Sequence, residues 1–140
     1  MNTSKQTIEM KDKKVILSTL WIFATLNYLY ADVFTLFFSR EARDASMAFT
    51  PGAVLGFAGL METAIAMVLL SRILKVRANR WANILAGVLH TAAVAGSLFA
   101  GAGMPEPFYI FFAAIEIACT LFIVWYAWKW RNPEGNLANI

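Results

Sequence analysis

The spacing of its charges limits this chain more than any other feature. Positions 45 to 61 carry no charge, and from 81 to 105 only His90 interrupts an uncharged run. A helix that crosses the hydrocarbon core of a bilayer takes about 20 mostly apolar residues. Four segments reach that length, at residues 15–38, 52–71, 81–102 and 107–128. With 59% hydrophobic and 15% charged residues, the chain departs from the roughly 45–50% and 25% of soluble domains. Intrinsic disorder is excluded by the hydrophobicity. A disulfide scaffold is excluded by the single cysteine, Cys119. The expectation is an all-α fold, a four-transmembrane-helix up-down bundle forming a single membrane domain over residues 1–140. The short connections favour antiparallel neighbours.

Local punctuation agrees with these spans. All four prolines, Pro51, Pro105, Pro107 and Pro133, fall at segment ends. Proline suits a helix's first turn, where its missing N–H would be unbonded anyway. Thr50-Pro51 therefore reads as N-cap and first residue of the second span, and Gly101 and Gly103 bracket the end of the third. The lysine-rich start followed by an apolar stretch resembles a signal peptide, with small residues Ala45 to Ala48 beyond it. The first span is longer than an h-region of about 7–15 residues, and three more spans follow, so it is expected to stay uncleaved.

Basic residues set the direction. Lys5, Lys11, Lys13 and Lys14 precede the first span, Arg72, Lys75, Arg77 and Arg80 join the second to the third, and Lys129 and Arg131 follow the fourth. In an even-span topology these share one side, leaving Arg40 and Arg43 on the other. The positive-inside rule then places both termini in the cytoplasm (N-in/C-in). Trp81, Trp125, Tyr126, Trp128 and Trp130 gather at that same side, as an interfacial aromatic belt would. The net charge of +3 is thus a topology signal rather than a mark of nucleic-acid binding. Arg72, Lys75, Arg77 and Arg80 form the densest cluster and face anionic headgroups.

Each span contains a strongly polar residue: Asn27 and Asp32 in the first, Glu62 in the second, His90 in the third, Glu116 in the fourth. Asn27, Glu62, His90 and Glu116 fall within about 5 Å of one another in depth, taking helical rise from each span's midpoint. Asp32 lies nearer the outer face. Ionisable groups at that depth are costly and by default functional, so they are expected to face the interior and bond each other. Small neighbours support this: Ala58, Gly59 and Ala66 beside Glu62, and Ala86, Gly87, Ala93 and Ser97 beside His90. The Tyr28 phenol, four residues before Asp32, is placed to bond it. Gly52 and Gly56 form a small-residue packing motif. Asn27 also reads as interhelical glue, and Cys119 as a small buried hydrophobe. One His with two Glu is a weak metal set without the Glu-x-x-His pairs of di-iron bundles. No metal or other cofactor is expected.

Several stretches carry a resemblance: Leu20-Trp21-Ile22-Phe23, Asn27-Tyr28-Leu29-Tyr30-Ala31-Asp32, Glu62 with Ala66 to Arg72, and Arg77-Ala78-Asn79-Arg80-Trp81-Ala82-Asn83. Together they resemble an uncharacterised bacterial family of small four-helix membrane proteins, similar in architecture to DoxX-like proteins. That resemblance implies a four-span inner-membrane protein and no particular activity. The residues themselves favour a transporter or carrier, proton-coupled and homo-oligomeric, in contact with lipids and a small-molecule or lipid-like ligand. The alternatives are a membrane-embedded acid–base enzyme acting on a lipid-like substrate and a non-catalytic subunit or assembly factor.

Overall fold

The computed structural model describes residues 2–100 and 103–130. Gly101, Ala102, Arg131 and Pro133, which entered the reading of span ends and topology, lie outside the described residues. The described chain is entirely helical: α1 (Asn2–Phe38), α2 (Arg40–Met47), α3 (Pro51–Ile73), α4 (Val76–Ser97) and α5 (Pro107–Lys129). Three of these, α1, α3 and α5, are long and apolar enough to cross a membrane. The chain is therefore an all-α, multi-pass membrane helical bundle.

Two differences from the sequence reading have clear causes. First, α2 replaces an expected loop. Ser39 caps it by accepting from the Ala42 N–H at 3.2 Å, and Arg43 bonds back to the Leu36 carbonyl at 3.1 Å. Second, the third uncharged run was placed at 81–102, whereas α4 begins at Val76 and stops at Ser97. Its first two turns contain Arg77, Asn79, Arg80 and Asn83, so a shorter part of it is continuously apolar. At the start of α3 the expectation holds: Thr50 accepts from the Ala53 N–H at 3.3 Å and Pro51 is the first helical residue.

The helices are registered by polar contacts as much as by packing. Lys14 of α1 donates to the Leu74 carbonyl at 2.6 Å, and Ser18 to the Val68 carbonyl at 2.8 Å. Rising along α1 thus means descending along α3. Tyr109 of α5 donates to Ser97 of α4 at 2.7 Å, and the Thr91 and Thr120 hydroxyls lie 2.7 Å apart. The core contains Leu17, Trp21, Ala24 and Tyr28 of α1 with Ala64, Met67, Val76, Cys119, Ile123 and Trp130. Large apolar side chains such as Leu55, Phe57, Leu69, Leu85, Phe111 and Trp128 point outward. Of the most apolar stretch of α3, only 11% is buried within the chain.

Glycines show which helices approach most closely. Among the described residues a Cβ at Gly52, Gly56 or Gly59 would meet nothing within 4 Å, so the Gly52/Gly56 motif packs against none of the described helices. At Gly87 a Cβ would lie 2.6 Å from Val124 Cγ2 and 3.3 Å from the Thr120 carbonyl oxygen. Valine is β-branched and stiff, and the carbonyl belongs to the helix itself, so neither yields cheaply. Gly87→Val is expected to push α4 from α5 and destabilise the protein by about 1–3 kcal/mol. Thermal unfolding in detergent measures this, with Gly56→Val as the neutral comparison.

Candidate functional site

One cluster of side chains joins α1, α4 and α5, with α3 closing one edge. His90 is 1% exposed. Its ring stacks on Tyr28 at 5.4 Å and 21°, and meets Trp21 edge-on at 5.4 Å and 71°. Both aromatic residues lie on α1, seven apart, so they present one face to α4. His90 Nε2 lies 2.9 Å from Thr63 Oγ1 of α3. The single Thr63 hydroxyl proton already points at the Leu60 carbonyl, 2.6 Å away. The contact is satisfied when Nε2 carries the proton and the imidazole donates.

Glu116 is 5% exposed, on the face of α5 that also buries Ala113, Cys119, Thr120 and Ile123. Among the described residues its Oε1 has no hydrogen-bond partner, and neither does the Tyr28 hydroxyl. The two residues are within electrostatic range of each other, and Asp32 acts on Glu116 in the same way. Two unpartnered polar atoms shut away from solvent are unusual, because burying such a group without a bond costs about 1–3 kcal/mol.

The five polar positions picked out from the sequence separate here. His90 and Glu116 are both buried and each is close to Tyr28, with no ion pair between them among the described residues. Asp32 is exposed at the edge of this cluster. Glu62 is also exposed, on the outer side of α3 beside Thr63. Asn27 is half-buried and donates to the Phe23 carbonyl of its own helix at 2.9 Å. Mutual bonding among all four midspan groups is thus not what the structure shows. The expected Tyr28–Asp32 bond is absent as well, because the Tyr28 ring turns inward to stack on His90 and its hydroxyl is left unpaired. Among the described residues, no three of His, Cys, Asp and Glu are grouped so as to hold a metal ion.

A family model matches residues 6–137, nearly the whole chain. The chain belongs to DUF6326, a family of unknown function. No curated protein and no solved structure matches it. This places an uncharacterised family on a multi-span helical membrane architecture, with the buried polar cluster as its chemically most distinctive part in this chain.

A second polar cluster sits closer to the α3–α4 connection. Asn83 Oδ1 accepts from Trp21 Nε1 at 2.7 Å and from Ser71 Oγ at 3.3 Å. Its Nδ2 donates to the Asn79 carbonyl at 2.9 Å and to Asn79 Oδ1 at 2.6 Å. Asn79 Nδ2 in turn donates to the Ser71 carbonyl at 2.6 Å. Asn83 thus makes the full four bonds an amide can make. Asn79, Asn83, Ser71 and Trp21 are all 0% exposed. Sequence reasoning assigned these residues no site role. The usable signal was Asn79 and Asn83, one helical turn apart on one face. Thr63 and Trp21 were missed, and Tyr28 was paired with Asp32 instead of His90, because threonine and aromatic residues are common in apolar helices and point to no partner by type alone.

Proposed function

We propose that this chain is a proton-handling carrier of the bacterial inner membrane, working as a homo-oligomer of four-span, up-down protomers with both termini in the cytoplasm. The observation that supports this reading best is the burial, without a hydrogen-bond partner among the described residues, of Glu116 Oε1 and of the hydroxyl of Tyr28, whose ring stacks on His90. A carboxyl without a fixed partner can exchange a proton or accept a bond from a passing polar solute. His90, held by Thr63 and by the Tyr28 and Trp21 rings, orients the site. Asp32, exposed at the edge, provides the entrance. The basic residues flanking the helices support the topology through the positive-inside rule. Exposed Glu62 and the unpacked Gly52, Gly56 and Gly59 face support a contact between copies, because an ionisable group facing lipid in midspan is costly.

The Trp21–Asn83–Asn79–Ser71 network takes the purely structural part in this model, fixing the register of α1, α3 and α4. This leaves the His90–Glu116 region free for chemistry. The test is a proton-flux measurement in proteoliposomes containing a pH-sensitive dye, with light scattering reading the number of copies. The wild-type protein should collapse an imposed pH gradient faster than protein-free vesicles, and Glu116→Gln should return the rate to the protein-free level. A well-folded Glu116→Gln protein that conducts as fast as wild type would sink the assignment.

A further inference from the structure

Away from that cluster, α1 and α3 leave a groove of about 400 Å³ between them, lined by Ser18, Ile22, Thr25, Leu26, Ile65, Val68, Leu69 and Arg72. The lining follows helical spacing on both sides, with Ile65, Val68, Leu69 and Arg72 forming one ridge of α3. The hydroxyls within it are already used: Ser18 donates to the Val68 carbonyl and Thr25 to the Trp21 carbonyl. The groove therefore offers hydrocarbon along its length and one cation at its end. Arg72 is exposed, and among the described residues it makes no ion pair. From Ile65 to Arg72 the groove runs about 10 Å along the helix axis. That is most of one leaflet of a hydrocarbon core about 30 Å thick.

We infer that this groove binds a single anionic phospholipid, with one acyl chain along the α1–α3 ridges and the phosphate on Arg72. Charge complementarity selects this occupant. A second copy seated by a two-fold axis on the same groove would set Arg72 against Arg72, with Lys75 and Arg77 close by in sequence on each side. A free phosphate would gain nothing from the apolar lining. An uncharged or zwitterionic lipid would leave the guanidinium without a net anionic partner. The site does not depend on the buried His90–Glu116 cluster, which faces other helices.

The experiment is native mass spectrometry of the full chain after incubation with equimolar phosphatidylglycerol and phosphatidylcholine carrying identical acyl chains. Wild type should retain phosphatidylglycerol preferentially. Arg72→Gln should lower that retention by roughly fivefold, the effect of removing one near-surface basic contact. Leu69→Trp, which fills the groove from an exposed position, should lower it as well. Arg77→Gln, exposed and outside the groove, should leave it unchanged. Three results would overturn the proposal: equal retention of the two lipids, an Arg77→Gln loss as large as that of Arg72→Gln, or a change in copy number with unaltered lipid preference in the groove variants. The last of these would assign the groove to a neighbouring protomer.

Discussion

Asn83→Leu is expected to destabilise the protein by about 2–4 kcal/mol. Leucine keeps the branched outline of asparagine but is bulkier, so overpacking adds to the polar loss at this fully buried position. Four bonds disappear together: from Trp21 Nε1, from Ser71 Oγ, to the Asn79 carbonyl and to Asn79 Oδ1. The Trp21 indole N–H is then left in a fully buried place, and an unsatisfied buried donor costs about 1–3 kcal/mol. Hydrogen bonds between membrane helices average only about 0.6 kcal/mol, because the unfolded chain in the bilayer finds other partners. What raises this case above that average is that one amide ties Trp21 of α1, Ser71 of α3 and Asn79 of α4. Unfolding of detergent-solubilised protein by denaturant measures the loss. Trp21→Phe removes one donor and should cost about 1 kcal/mol less in the Asn83→Leu background than in wild type, as expected for coupled partners. An Asn83→Leu protein within about 0.5 kcal/mol of wild type, the range of ordinary surface changes, would show that the network does not hold the helices together.

The readability of this chain divides by the kind of signal. Membrane character and all-helical structure were legible because long uncharged runs leave the backbone no other way to satisfy its hydrogen bonds in lipid. The start of α3 was legible at Thr50-Pro51 for the same local reason. The beginning of α4 was harder to read. A span was sought from Trp81, where charge ends, but the helix starts at Val76, because Arg77 is exposed, Arg80 lies over the Trp128 ring of α5, and Asn79 and Asn83 turn inward. Burial of Glu116 and His90 agrees with placing costly groups inside. Exposure of Glu62 does not follow from depth alone, because depth along a helix says nothing about azimuth. The azimuth of α3 is set by which of its residues meet α1 and α4, namely Ala64, Met67 and Ser71, and that face leaves Glu62 outside. Partner choice was equally hidden. His90 was weighed against two glutamates, yet it bonds Thr63 and lies between two aromatic rings, an arrangement that depends on three helices at once.

His90 is where the functional and structural readings part most sharply. His90→Ala removes a ring packed between Trp21 and Tyr28 and opens a cavity, so a loss of about 2–5 kcal/mol is expected whatever the residue does. That variant alone decides nothing. His90→Phe keeps an aromatic ring in the same place and removes both ring nitrogens, including the Nε2 that contacts Thr63 Oγ1. The Thr63 hydroxyl loses only an acceptor role and keeps its bond to the Leu60 carbonyl. Phenylalanine is somewhat larger than histidine, so stability should fall by about 1–3 kcal/mol from overpacking, without the cavity that alanine leaves. If His90 works with Glu116 on a moving proton, flux in the folded His90→Phe protein should fall by about 100-fold, the lower range for loss of a positioned proton donor or acceptor. Should the ring serve only as a spacer between α1 and α4, His90→Phe would carry protons as well as wild type, and only His90→Ala would fail. Measuring stability and flux on both variants separates a group that packs from a group that handles protons, because phenylalanine reproduces the first property and lacks the second.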